Sequence, residues 1–459
     1  MFAGGFELAS IEAICGSDPL TPEDALDIVT SLVEKSLLRA DEGDDGARYR
    51  MLETIRDYAR EKLLMRDEQT ALGAAHCDYF VEMAKAGSQG MDGPDSAQWT
   101  RRLEEAHDDM RAAIALALQG GVDPILSVKL EVALMGFWLL RGYVTEGRNY
   151  VRASLALPAV RASEIAHGHA LYVGAALADS QGFHAEAQRM LGDCLALRRK
   201  LDNSFDLAAT LSTRSVVLLH AGQAAEARKD EGEAVDLFRR LEHRVGEAMG
   251  LLHLGQIDAY VGNDEDARRY FEQGIAVARD IGFAEVEGEC ELMLGQLELG
   301  AGSLDGAVAR FERSQEICRE SEDKRGRAAA TWWLGKVDLH RGELESARVR
   351  LRSALDAFYR FEMNAELIGC LEDFGELLTT AGAVDKAAGL MGAAASLRER
   401  LSLPRSPRAE EHWQRALARA REQAGDQAFQ AAFAKGGSSP TADAVERALA
   451  FESMELVAA

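Results

Sequence analysis

Proline is scarce: eight in 459 residues, which predicts long uninterrupted helices. Long apolar runs are missing too, and without about 18 consecutive apolar residues no membrane-spanning helix is expected. Basic charge is in deficit. Fifty-two Lys and Arg stand against 76 Asp and Glu, a formal charge of −24. That balance argues against a chain that wraps a nucleic-acid backbone and against a polybasic membrane binder. The six cysteines (Cys15, Cys77, Cys194, Cys290, Cys318, Cys370) lie far apart with no Cys-x-x-Cys, so they suit a reducing, cytoplasmic setting. The opening Met1-Phe2-Ala3-Gly4-Gly5-Phe6 lacks a basic region and a long apolar core, so it does not read as a secretory signal. What is present is a 47% hydrophobic, 28% charged composition, that of a folded globular chain with room for about three domain-sized units.

Glycine, by contrast, is plentiful, and it is periodic. It stands at 142, 182, 222, 262, 302, 342 and 382, a 40-residue step without a slip. Five positions later every residue is small (Gly147, Ala187, Ala227, Ala267, Ala307, Ala347, Ala387), as it is twelve positions later. Seven positions before, six of seven are small, from Ala175 to Gly375. Nine positions after, most repeats carry a large apolar residue, Phe271 and Phe311 among them, with Glu231 the exception. Two antiparallel helices per repeat account for this register. The glycine accepts the left-handed backbone that ends the first helix. Small residues let helices approach, and the large residue at +9 is expected to fill the space between repeats. No unit buries its apolar face alone, so the units must stack into a solenoid. A sheet anywhere in residues 160–400 would refute this.

Leu254-Gly255, Gly262, Ala267, Phe271 and Gly274 stand at spacings that resemble the tetratricopeptide repeat. That unit is 34 residues long and closes on a proline. Here each unit is six residues longer and the proline position holds Ala159, Arg199, Arg239, Arg279, Arg319, Tyr359 and Glu399. Only the first repeat has a proline nearby, Pro158. The second helix is therefore expected to run on by about one and a half turns.

The start reads differently. Thr21-Pro22-Glu23-Asp24 is a helix start, with a threonine cap, proline at the first position and acids in the first turn. A helix Pro22–Ser36 with an apolar face of Ala25, Leu26, Val29, Leu32 and Val33 precedes a strand at Leu37–Ala40. A turn over Asp41–Gly46, a strand Arg48–Leu52 and a helix Glu53–Leu64 complete a winged-helix arrangement. The phrases Leu32-Val33-Glu34-Lys35-Ser36-Leu37-Leu38 and Tyr49-Arg50-Met51-Leu52-Glu53-Thr54-Ile55-Arg56 resemble the winged helix of STAND-type, NB-ARC-like bacterial regulators. Trp99…Leu103-Glu104…His107-Asp108-Asp109-Met110-Arg111 and Phe137-Trp138-Leu139-Leu140-Arg141-Gly142 look like their helical linker. The resemblance implies a nucleotide-binding module before the winged helix, which packs against it, and tetratricopeptide-like repeats after it. No Gly-x-x-x-x-Gly-Lys-[Ser/Thr] occurs: Gly335-Lys336 has Ala330 five residues before it and Val337 after. This chain is thus expected to lack that module, to hydrolyse no nucleotide and to need no cofactor.

The fold class expected is all-α, a tetratricopeptide-like α-solenoid of 40-residue helix-hairpin repeats preceded by a small winged-helix domain. The division expected is a winged-helix-like domain over 1–66, a helical linker over 67–127, seven repeats over 128–402 and a C-terminal helical cap over 403–459.

Chemistry-bearing motifs are thin. His167-Gly168-His169 has no acid or cysteine at ligand spacing, and His76-Cys77 has no base beside it in sequence. Asp41–Gly46 misses the calcium-loop spacing and reads as a solvated wing tip. The winged helix carries 14 acids against 8 Lys and Arg in residues 1–66, so no direct DNA contact is expected of it. The chain reads as non-enzymatic: the ligand- or partner-sensing arm of a transcriptional or signalling regulator, or alternatively a free-standing adaptor. A protein, peptide or small effector would lie in the groove lined by the first helices, and a nucleotide-binding module would act with it in the same or another chain. Counting from each turn glycine, positions −10, −6 and −2 are expected to face that groove. The candidate residues are Tyr172, His220, Gln256, Tyr260, Gln296, Trp332, Lys336, His340 and Glu376. Trp332, Lys336 and His340 form one stripe at i, i+4, i+8, and Trp332→Ala with Lys336→Ala is expected to remove binding at a stability cost under about 0.5 kcal/mol.

Overall fold

A computed structural model describes residues 2–15, 21–43, 46–65, 68–91, 95–201, 203–401 and 403–451. The chain divides into two compact units. The first ends at Gly174, and the second runs from Ala175 onward with two short earlier pieces.

The first unit opens with β1 (Phe6–Glu7), α1 (Leu8–Cys15), α2 (Pro22–Glu34), β2 (Leu38–Gly43), β3 (Gly46–Met51) and α3 (Glu53–Met65). Thr21 starts α2 as its residues dictate: its hydroxyl accepts from Asp24 N at 3.2 Å, and the Asp24 carboxylate accepts from Thr21 N at 2.8 Å. The sheet is antiparallel in the order β1-β3-β2, with Leu38 opposite Met51 and Ala40 opposite Tyr49. The wing strands extend through Asp41–Gly43, so the turn is shorter than the sequence reading drew it; Asp44 and Asp45 lie outside the described residues. Phe6, Val29 and Leu38 are buried together, whereas Leu26 is 46% exposed and does not join that face. Helices α4 (Gln69–Met91) and α5 (Ser96–Leu118) pair beside it. The buried Asp109 carboxylate of α5 accepts from Ala3 N at 2.5 Å and Gly4 N at 3.4 Å. Arg56 donates to Ala3 O at 2.7 Å and Arg48 to Gly5 O at 2.5 Å. Three charged side chains thus fix the glycine-bearing stretch before β1. The unit continues through α6 (Ile125–Arg141), α7 (Val144–Ala156) and the short α8 (Pro158–Ala162). Here Pro158 interrupts the second helix, the one repeat where the breaker survives.

The second unit is built of helix pairs. They are α9 (Glu164–Ser180, which belongs to this unit from Ala175 on) with α10 (His184–Arg198), α11 (Ser204–His220) with α12 (Ala224–Arg240), α13 (Arg244–Val261) with α14 (Asp264–Ile281), α15 (Ala284–Gly300) with α16 (Leu304–Glu320), α17 (Lys324–Arg341) with α18 (Leu344–Arg360), and α19 (Asn364–Thr380) with α20 (Val384–Arg400). Among the described residues no strand falls between 160 and 400. All seven periodic glycines hold a positive φ, from 76° at Gly342 to 88° at Gly262, as a first-helix cap requires. The return turn has its own period. Glu242, Gly282, Glu322 and Glu362, twenty residues after successive turn glycines, all hold φ between 54° and 71°. Glutamate at three of those places concealed the turn from sequence reading.

The residue at +9 fills its own hairpin rather than the space between repeats. A Cβ on Gly255 would meet the Phe271 ring at 2.4 Å, and one on Gly295 the Phe311 ring at 2.4 Å. Contact between repeats falls instead at +12 and −12, where a Cβ on Gly274 would lie 3.0 Å from Cys290 Sγ. Cys290 and Cys370 are fully buried there, and burial pushes both thiols up, away from the reactive thiolate.

The array closes on α21 (Pro407–Ala424), α22 (Asp426–Gly437) and α23 (Thr441–Leu449). These three helices occupy the stretch read as a C-terminal cap, and residues 452–459 lie outside the described ones. Between α20 and α21 the chain crosses the turn edge of earlier repeats. A Cβ on Gly182 would lie 3.5 Å from Leu401, one on Gly222 3.9 Å from Pro404 and one on Gly300 3.2 Å from Arg408. Arg408 also pairs with Asp264 at 2.8 Å. No described helix is long and apolar enough to cross a membrane.

Candidate functional site

In the second unit α11 packs on α13, α13 on α15, α15 on α17 and α17 on α19, while the second helices make no comparable contact among the described residues. The first helices therefore form the inner row. Their faces also sense one another across the curve. Glu289 of α15 is pushed up to about 7, first by burial and then by Glu366 of α19 and Asp323. Partial burial would lower His220 on α11, but its hydrogen bond to Asp179, the Asp179 charge and Glu366 raise it.

Position −6 is at least partly exposed in every repeat, from Gly136 to Glu376, and so is position −2. Position −10 is not: Ser212, Leu252 and Leu292 are buried, the last two inside the apolar core. Long residues at −10 pack back toward the preceding turn, and only Val132, Tyr172, Trp332 and Glu372 keep part of their surface.

The nine candidate residues do not form one cluster. Tyr172 is partly exposed on the first unit. Gln256 faces Glu289 at 3.5 Å, and Tyr260 packs partly buried beside Leu218 and Ile257. Gln296 is partly exposed, and His340 is exposed with its basicity lowered by desolvation. Trp332 and Lys336 meet, at the buried carboxylate of Asp373. The indole nitrogen donates to Asp373 Oδ2 at 2.7 Å and the ammonium to Oδ1 at 2.9 Å. The Trp332 ring stands edge-on to Phe358 at 5.7 Å, while Trp333 stacks on Phe311 at 5.9 Å. Both tryptophans thus pack, partly buried, against core clusters, and Trp332 does not stand free in the groove. Glu376 is taken by the chain itself: His412 of α21 pairs with it at 2.8 Å.

Sequence reading passed over Asp373, which organises that corner, and marked Glu231 only as the exception in its column. Glu231 is fully buried where other repeats place a large apolar residue, and it accepts from Ser212 at 2.8 Å and from Ser215. Departure from its repeat column marked the residue, but the two serines that donate to it lie 16 and 19 residues earlier, outside that column.

A family model described as a winged helix-turn-helix domain matches residues 1–64, and one for the tetratricopeptide repeat matches 206–280. The fold is a tetratricopeptide-like α-solenoid behind a winged helix. Two provisionally named HTH-type transcriptional regulators, from Mycobacterium bovis and Mycobacterium tuberculosis, are 35% identical over 154 residues. That stretch is 34% of this chain and 17% of theirs. The crystal structure of a signal transduction ATPase with numerous domains and a tetratricopeptide repeat sensor, from Pyrococcus horikoshii, aligns with 94% of this chain and 62% of its own at a TM-score of 0.56. Sequence identity there is 14%, so the likeness is one of fold.

Proposed function

We infer that this chain is a non-catalytic sensing arm of a STAND-type transcriptional or signalling regulator, with a peptide, protein segment or small polar effector lying along the first-helix row of the second unit. The observation that carries this reading is the pairing of a winged helix with 40-residue helix hairpins, an order aligned over 94% of the chain with a protein that has a repeat sensor. Gln256, Gln296 and His340 are the best recognition residues, because their side chains keep exposed surface on the inner row and fill no apolar core. Trp332 and Lys336 shape the groove through Asp373 and Glu376 through His412. The reading gives this chain no nucleotide chemistry, no DNA contact and no membrane. A nucleotide-binding module would be supplied in cis or in trans.

A displayed random-peptide library, selected on the purified chain, tests it. Selected peptides should lose more than about tenfold in affinity on Gln256→Arg with Gln296→Arg, and keep it on Arg313→Glu of the second-helix row. Peptides indifferent to the first pair and sensitive to the second would place the binding face elsewhere. Saturable ATP binding at low micromolar concentration would overturn the non-catalytic assignment.

A further inference from the structure

One cluster at the junction of repeats 2 and 3 is foreign to the repeat. Asp179 ends α9, His184 begins α10 and His220 ends α11. At the position of Asp179 the later repeats carry Leu219, Ala259, Leu299, Leu339 and Thr379; at that of His184 they carry Ala224, Asp264, Leu304, Leu344 and Val384. The helix hairpin stacks without this trio, so packing does not call for it.

Its geometry is convergent. His184 Nδ1 lies 2.6 Å from Asp179 Oδ1, and His220 Nδ1 lies 2.8 Å from Asp179 Oδ2. The three ligand atoms lie within 4.8 Å of one another. Asp179 and His184 are buried, and His220 is 44% exposed and gives the cluster a mouth. The far nitrogen of His184 is buried with no partner. Such a bare nitrogen is costly in a core, and it leaves Nδ1 as the atom through which this ring acts.

We propose that Asp179, His184 and His220 bind a divalent transition-metal ion of the zinc class, joining repeats 2 and 3. Two imidazoles and one carboxylate are a donor set that suits zinc rather than calcium or magnesium. Three protein ligands leave a fourth, tetrahedral position for water at the exposed side. Each imidazole lies at hydrogen-bond distance from a different oxygen of Asp179, and the three ligand atoms, within 4.8 Å of one another, would rearrange to sit around an ion at about 2.0–2.2 Å. The comparable group Asp373, Glu376 and His412 is a poorer site, because the Lys336 ammonium already stands 2.9 Å from Asp373. The proposal is independent of the effector assigned to Gln256 and Gln296.

The test is titration of the metal-free full chain with zinc chloride by calorimetry. One ion per chain is expected, and His220→Ala should weaken binding by more than about tenfold while His253→Ala leaves it unchanged. Cobalt(II) on the wild type supplies a readout that needs no variant: an intense tetrahedral visible band is expected. Zinc uptake only above about 0.1 mM, an unaffected His220→Ala, or a weak octahedral cobalt spectrum would each overturn the proposal.

Discussion

Asp373 is 4% exposed, and its two oxygens are taken by Trp332 and Lys336. An anion in that setting depends on its partners, since a buried charge without one is expensive. Burial pushes the Asp373 carboxyl up, and Lys336 works against it. Lys336→Met should therefore destabilise the second unit by about 3 kcal/mol in urea unfolding, and Asp373→Leu added to it should recover most of the loss. The small effect expected from Trp332→Ala with Lys336→Ala on sequence grounds does not fit this geometry. Spacing alone put three side chains on one stripe; it did not show that Asp373, 37 residues beyond Lys336, would turn that stripe inward. Left-handed glutamates offer a second test at this scale. Glu242 and Glu362 are exposed at φ 54°, where a side chain is strained. Gly282 occupies the equivalent turn at φ 71°. Glu242→Gly and Glu362→Gly should each stabilise by about 0.5–1 kcal/mol, read as a higher urea midpoint at unchanged slope.

Among elements, α21 is held by the Glu376–His412 pair. Burial pushes Glu376 up, but the hydrogen bond and charge of His412 outweigh it and leave the carboxyl below its ordinary value of 4.5. The same hydrogen bond raises His412 above 6.5 against partial burial, with Lys336, Asp373 and, around Glu376, His340 also facing the pair. The raised histidine contributes fully below its ordinary value and is lost as pH climbs through the raised one. The lowered carboxyl contributes above its ordinary value and is lost as pH falls through the lowered one. The pair should thus help most between about pH 4.5 and 6.5. Compared across pH 4–8, the stability difference between wild type and Glu376→Gln should peak there at about 0.5 kcal/mol, a modest figure because His412 is partly exposed. A monotonic difference would mean that another group sets it. The winged helix gives a further expectation. Its acidic surface should show no shift of a DNA duplex in a gel at micromolar protein and about 0.1 M salt. The hairpin repeats and winged-helix outline were legible because glycine, small residues and a proline-capped helix start are local signals. Strand β1 was not, because two residues, Phe6 and Glu7, pairing with the distant Tyr49 and Arg48 leave no pattern of their own.

At the scale of the whole second unit, repeat arrays ordinarily owe their stability to nearest neighbours. Here Arg408 reaches Asp264 across 144 residues, and Leu401 and Pro404 lie against the turns at Gly182 and Gly222. Contacts of that reach cannot be read from a 40-residue period, which describes only how one unit meets the next. Arg408→Glu, which sets like charge beside Asp264, should speed amide hydrogen exchange in the turns near Gly222 and Gly262. The exposed ion pair itself is worth only about 0–1 kcal/mol, so the midpoint of global unfolding should hardly move.

The crossing by residues 401–408 also bears on the order of events as the chain is made. Helix hairpins form early, from contacts close in sequence. Synthesis proceeds at about 5–20 residues per second, and the strap that ties repeat 2 to repeat 5 leaves the ribosome only after all of those repeats have done so. For some ten seconds or more, then, the nascent array is an open spring with its turn edges bare, and any factor that recognises those edges has that interval in which to act.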